Sequence, residues 1–168
     1  MTGFTFPSRI RCLVIIVAVR QPFQVLVFPF RRSAHDLRYA IFCRRDLGTW
    51  QGLAGGGEGD EAPEDAARRE AFEEAGISRD SPLLRLDTVG KIAVEHFADR
   101  VHWDRGLRTI PEYGFAVAVT SESLQLSAEH SEYAWLDVDA ALKRLKWQTN
   151  RAVLRELHDR LTGADFTA

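Results

Sequence analysis

From residue 55 to residue 77 the chain reads GGGEGDEAPEDAARREAFEEAGI. Pro63 suits the first position of a helix, where a missing N–H costs nothing. Glu64 and Asp65 place negative charge at the positive end of the helix dipole. Ala66 and Ala67 are strong helix formers, and Gly76 stands where a left-handed terminator belongs. Residues 63 to 75 therefore read as one helix with clear start and stop signals. Within it, Glu70, Glu73 and Glu74 are spaced i, i+3 and i+4, which gathers three carboxylates on one face. Like charges at that spacing repel unless a cation joins them. All-oxygen clusters of this kind suit a hard divalent metal such as Mg²⁺, which keeps waters and substrate phosphates around it. The competing reading is a solvated acidic helix face. Two features favour chemistry: the run Gly55-Gly56-Gly57, which allows backbone to approach a ligand closely, and Arg69, placed to orient a carboxylate such as Glu61.

Composition sets the frame around this stretch. The chain has 168 residues, enough for one domain with a real core. With 45% hydrophobic and 27% charged residues it reads as an ordinary soluble globular protein. A net charge of −2 gives no basic footprint, which argues against a nucleic-acid duplex as partner. Local basic groups at Arg31-Arg32, Arg44-Arg45 and between Arg100 and Arg108 fit either a small phosphorylated ligand or a solvated surface. Cys12 and Cys43 both lie in apolar runs and read as buried free thiols of a reducing compartment, with no zinc-like spacing. The longest apolar run, residues 12 to 19, is too short to cross a bilayer, and Arg20 interrupts where a cleavage site would fall. It reads as a buried strand or an N-terminal extension of a cytoplasmic protein with no membrane contact.

Along the chain, residues 24–30 (QVLVFPF) and 38–43 (RYAIFC) form a pair of strands, and residues 49–53 lead into a glycine loop. Residues 84–95 and 113–119 (YGFAVAV) have strand character, residues 133–136 make a short strand, and residues 98–107 read as a loop. Two helices close the chain, over residues 138–145 and 150–161, the second with an amphipathic repeat. The order of elements predicts a single α/β domain with a mixed sheet and helices on its faces. Residues 1–21 are expected to be an extension or extra strand, and residues 22–168 the domain proper.

The spacing of the first stretch also meets a longer rule: Gly55, five residues, Glu61, seven residues, Arg69-Glu70, two residues, Glu73-Glu74, one residue, Gly76, then the aliphatic Ile77. On that rule the chain resembles the Nudix hydrolases, departing only at Ala71, where a bulkier aliphatic is usual. The resemblance implies the Nudix fold, an α/β/α sandwich with a mixed β-sheet and a loop–helix–loop catalytic motif. Further segments are similar to the group of dihydroneopterin triphosphate pyrophosphatases and dATP pyrophosphohydrolase-like proteins. These are Trp50-Gln51, Ile110-Pro111-Glu112-Tyr113, Glu129-His130 with Trp135-Leu136, and Leu145-Lys146-Trp147 with Asn150. Together they span about residues 22 to 161.

What that resemblance implies is a metal-dependent pyrophosphohydrolase that cleaves a nucleoside or dihydroneopterin triphosphate to monophosphate and pyrophosphate. Glu70, Glu73 and Glu74 would bind Mg²⁺ or Mn²⁺, with the backbone at Gly55 completing the site. Glu129 would complete the metal site or act as general base, a role that other members of the family assign to the glutamate in the position of Glu70. Both remain open. Relatives are often dimers, so a homodimer is an expectation of the same kind.

The remaining candidates come from the residues themselves. Glu112 precedes a buried strand and either points into the site or caps the strand end. Arg45 suits bidentate contact with phosphate oxygens. Trp50, Trp103, Trp135 and Trp147 can stack on a flat ring or pack in the core. Trp103, in a polar loop, is the one expected to meet ligand. His96, His102 and His130 lack metal-ligand spacing. His130 can position Glu129, contact phosphate, or make a structural hydrogen bond. Two other functions compete: hydrolysis of ADP-ribose or dinucleoside polyphosphates, and a binding module that recognises a nucleotide without cleaving it. The complete set of signature glutamates argues for the enzyme.

Overall fold

The computed structural model describes residues 19–33 and 36–163. Seven strands and three helices follow one another along it. They are β1 (Arg20–Arg32), β2 (Leu37–Arg44), β3 (Trp50–Gln51), β4 (Leu53–Glu58), α1 (Pro63–Ala75), β5 (Leu83–Ala93), β6 (Thr109–Ala118), β7 (His130–Leu136), α2 (Val138–Arg144) and α3 (Gln148–Thr162). Two short 3₁₀ turns, Val94–His96 and Ala98–His102, lie between β5 and β6. The expectation of a buried strand or extension at residues 12–19 falls almost wholly outside the described residues, as does Cys12. Cys43 is buried in β2.

β1 organises the sheet. One of its edges runs parallel to β6, with Leu26 opposite Gly114. Its other edge pairs antiparallel with β4 over Arg20–Val27 and then with β2 over Phe30–Arg32. β2 in turn pairs antiparallel with β7 and β3, and β5 with β6. The sheet is therefore mixed, as the sequence predicts.

Both faces of the central strands are covered, which explains why QVLVFPF is apolar throughout rather than alternating. Val25 and Val27 of β1, with Phe42 and Phe115, pack on Ala66, Ala67, Ala71 and Ala75 of α1. Leu26 and Phe28 point the other way, onto Ala141, Leu145, Val153, Leu154 and Leu157 around α2 and α3. Successive strand residues thus serve opposite layers, the α/β/α arrangement that period-2 geometry requires. Alanines on the buried face of α1 let the helix lie close to the sheet. Ala71, where the family pattern has a larger aliphatic, is fully buried there.

The ends of α1 follow the sequence signals. Pro63 occupies the first turn with Glu64 and Asp65 beside it. Gly76 adopts φ 66°, and the N–H groups of Gly76 and Ile77 donate to the carbonyls of Phe72 and Ala71. That pairing terminates the helix. One expectation changes: Gly55-Gly56-Gly57 is not a loop but the middle of strand β4. The glycines allow close approach, since a Cβ on Gly57 would overlap the ring of Phe23 and one on Gly56 would displace the end of the Arg20 side chain. No helix among the described residues is long and apolar enough to cross a membrane.

Candidate active site

α1 lies against β4, and the signature residues meet at that seam. Arg69 is at the centre. Its Nε donates to Glu61 at 3.0 Å, one terminal nitrogen to Glu70 at 2.9 Å and Glu73 at 3.1 Å, and the other to the Gly56 carbonyl at 2.6 Å. The fan-shaped guanidinium supplies donors in several directions at once, which a lysine cannot do. Glu61 is held from the far side by the N–H of Glu58 at 3.1 Å. Burial works against the charge on Arg69, but the hydrogen bond to Glu61 and the carboxylates of Glu70 and Glu73 more than offset it, and the guanidinium is held in its protonated form.

Glu70 is buried against Gly55, where a Cβ would overlap its carboxylate. Desolvation pushes the Glu70 carboxyl up to about 7, with Glu74 and Glu73 adding to the effect and Arg69 opposing it. Glu74 points to the other side of the seam. Its Oε2 accepts from Ala54 N–H at 3.3 Å and lies 3.0 Å from Nε2 of the buried His130. Glu73 is half-exposed at the helix surface.

Among the described residues no group of three or more His, Cys, Asp or Glu side chains is gathered for a metal ion. Glu70 and Glu73 converge instead on the Arg69 guanidinium. The donors nonetheless fit a hard divalent cation. They are all oxygens, they already surround a cationic group, and a buried carboxyl with a raised pKa is stabilised in its ionised form by nearby positive charge.

Beside Ala54 opens a cavity of about 710 Å³, the size that encloses a small molecule. Ala54 thus connects the two regions, lining the cavity and donating to Glu74 with its N–H. Gln24 and Glu112 stand on one wall of the cavity, Arg44 and Gln51 line it near β3, and Trp147 and Phe97 bring aromatic surface.

The structure brings some of the expected residues together and separates others. Arg69, Glu70, Glu73 and Gly55 come together, Glu74 stands apart from them against Ala54 and His130, and Glu112 lines the adjoining cavity. Glu129 is exposed on the turn before β7, 3.3 Å from Arg44. The Arg45 guanidinium is engaged with backbone, donating to the carbonyls of Ala128 at 2.8 Å and His130 at 2.9 Å. Its neighbour Arg44 lines the cavity, with its guanidinium paired to Asp46 at 2.9 Å as well as to Glu129. Trp103 is only 9% exposed, its indole N–H donates to the Arg20 carbonyl at 2.8 Å, and its ring packs on Phe97. The tryptophan on the cavity is Trp147, 44% exposed, with its N–H toward Gln51 at 3.3 Å. Gln24 was not singled out from sequence, and Arg44 only as half of the Arg44-Arg45 pair. An Arg-Arg pair at a strand end offers no sign of which member turns inward.

An α/β/α sandwich in which one helix carries an Arg-centred set of glutamates onto a glycine strand, next to a ligand-sized cavity, defines a phosphoanhydride hydrolase of the Nudix type. The NUDIX domain model matches residues 12–157, and the chain belongs to that family. A NUDIX hydrolase of Listeria monocytogenes superposes with a TM-score of 0.77 at 38% identity, covering 88% of this chain and 99% of that one. The dihydroneopterin triphosphate diphosphatase of Escherichia coli K12 is 29% identical over 141 residues, 82% of this chain and 92% of that protein. The structure of the E. coli dihydroneopterin triphosphate pyrophosphohydrolase aligns with a TM-score of 0.67 at 26% identity, covering 82% of this chain and 95% of that one. An octanoyltransferase of Myxococcus xanthus is 36% identical over 109 residues, 64% of this chain, and there the match spans only 28% of that protein.

Proposed function

We propose that this chain is a metal-dependent pyrophosphohydrolase that cleaves a nucleoside or dihydroneopterin triphosphate to a monophosphate and pyrophosphate. The observation that carries this reading is the carboxylate face of α1, ordered by Arg69 and joined through Ala54 to the cavity. Similarity to the E. coli diphosphatase supports the substrate class.

In this reading Glu70, Glu73 and Glu74 hold Mg²⁺ or Mn²⁺, with the backbone of Gly55 alongside. When bound, the ion neutralises charge that builds on the phosphate oxygens. Glu70 accepts a proton from water, which attacks an internal phosphorus, and the opposite P–O bond breaks with its electron pair leaving on pyrophosphate. Glu70, buried at the seam beside Gly55, is the first candidate for that base. Glu129, exposed and paired with Arg44, is the second candidate. Arg69 holds the glutamates in place, and Arg44 takes the phosphate contact expected of Arg45. Trp147 supplies the stacking surface expected of Trp103, and Glu112 contacts the substrate ring.

The test is release of pyrophosphate versus phosphate from nucleoside triphosphates, dihydroneopterin triphosphate, ADP-ribose and diadenosine polyphosphates, with Mg²⁺ and with chelator. Metal-dependent pyrophosphate release from a triphosphate is expected. Turnover confined to ADP-ribose or dinucleotides would overturn the substrate class. Binding without turnover of any compound would overturn the reaction.

A further inference from the structure

The cavity beside the glutamate cluster contains a second carboxylate that the hydrolytic chemistry does not use. Glu112 lies in β6, lines the cavity and is 5% exposed. Its surroundings set its hydrogen-bonding character. Arg20 donates to Gln24 Oε1 at 3.1 Å, which orients the amide so that Gln24 Nε2 points at Glu112 Oε1, 3.0 Å away. Thr149, at the start of α3, stands beside Glu112 over Gly90. Burial raises the pKa of the Glu112 carboxyl, and the Gln24 donor opposes that shift by favouring the ionised, accepting form. A carboxylate has about four lone-pair positions, so acceptor capacity remains on both oxygens.

A buried acceptor pair of this kind is costly unless a ligand supplies N–H groups. Flat rings differ in what they offer it. Guanine and pterin each present a ring N–H beside an exocyclic amino group, two donors side by side at the spacing of a carboxylate. Adenine presents an amino group beside a ring acceptor, as does cytosine, and uracil presents one N–H between two carbonyls. Trp147 and Phe97 line the same cavity and provide aromatic faces for such a ring. Arg44 and Lys91 line it too and bring positive charge to its wall.

We infer that Glu112, oriented by Gln24, is the specificity determinant of this site and selects substrates with a 2-amino-4-oxopyrimidine edge, guanine or pterin, over adenine. The inference rests on the hydrolase reading for the location of the substrate, but its test does not require turnover. Equilibrium binding of GMP, IMP and AMP to the wild-type protein, and of 7,8-dihydroneopterin beside its 2-deamino analogue, isolates the contact. IMP differs from GMP only by the missing amino group. At least one aminated ligand should bind about tenfold or more tightly than its deaminated partner, and AMP should bind more weakly than GMP where guanine is the ring recognised. A preference in the guanine pair alone identifies a guanine nucleotide, and one in the pterin pair alone a pterin. In Glu112→Gln, which keeps the shape but replaces one acceptor with a donor, that preference should shrink to about threefold or less.

Equal binding within both pairs by the wild-type protein would overturn the inference whatever the variant does, as would a preference that survives Glu112→Gln. Metal-dependent hydrolysis combined with equal binding would leave the hydrolase standing and remove Glu112 from selection. Discrimination between the rings without hydrolysis would keep the role of Glu112 and remove the reaction.

Discussion

His130 Nε2 lies 3.0 Å from Glu74 Oε2, joining the first residue of β7 to the last carboxylate of the α1 cluster across 56 positions of sequence. The imidazole is fully buried, packs on the Phe42 ring, and its Nδ1 has no partner among the described residues. A hydrogen on Nε2 would be donated to Glu74 and, with the Ala54 N–H, would orient its carboxylate.

His130→Ala is therefore expected to weaken Mg²⁺ binding by about ten- to a hundredfold, the usual cost of removing a group that orients a ligand. His130→Gln, which can still donate a hydrogen bond, should recover part of it. Calorimetric titration with Mg²⁺ measures this directly, and an unchanged affinity in a folded Ala variant would show that Glu74 needs no such support.

Gly55→Ala places a methyl group where the Glu70 carboxylate sits. Both residues are held between α1 and the sheet, so the carboxylate must move. Destabilisation of about 1–3 kcal/mol is expected from the overpacking, together with weaker metal binding. Chemical denaturation and Mg²⁺ titration of the same variant separate the two effects. Loss of stability with normal Mg²⁺ affinity would separate Gly55 from the metal site.

Arg69→Met keeps a long apolar stem but leaves Glu61, Glu70 and Glu73 without the guanidinium they share. Breaking a buried ion-pair network from one side typically costs about 3–5 kcal/mol, and a comparable loss is expected in denaturant unfolding. Saturating Mg²⁺ should restore part of it. A variant as stable as the parent would mean that the carboxylates are screened by water instead.

Much of the α1 half of this molecule is legible in sequence because its signals are local. Pro63, the acidic first turn and Gly76 each act within a few residues, and the i, i+3, i+4 spacing alone puts three glutamates on one face. β4 is not legible. Three glycines in a row read as loop because glycine weakens strands, and only the side chains of Arg20, Phe23 and Glu70, pressing on them from elsewhere, show why nothing larger fits. The Gln24–Glu112 contact, 88 positions apart, leaves no trace in local pattern. The choice between Arg44 and Arg45 is not local either, since Arg45 is turned away by the carbonyls of Ala128 and His130, 83 and 85 positions along the chain.

Glu70 links the site to pH. Its carboxyl stands at an ordinary 4.5 in the unfolded chain and about 7 in the fold, chiefly through burial. Because the folded value is the higher one, the fold favours the protonated form. The associated stability is fully present below about 4.5, declines as pH rises toward 7, and stays lost above it. The displacement corresponds to at most about 3 kcal/mol. A divalent cation at the carboxylates favours the ionised form and competes with the proton, so it should reverse this loss where the proton is already gone. The rise in melting temperature on adding Mg²⁺ is therefore expected to be clearly larger at a pH above 7 than at one near 5. Glu70→Gln, which cannot ionise, should lose most of that pH dependence. Thermal unfolding of both proteins with and without Mg²⁺ provides the measurement. An equal Mg²⁺ effect at both pH values in the parent protein would mean that Glu70 does not titrate against the metal.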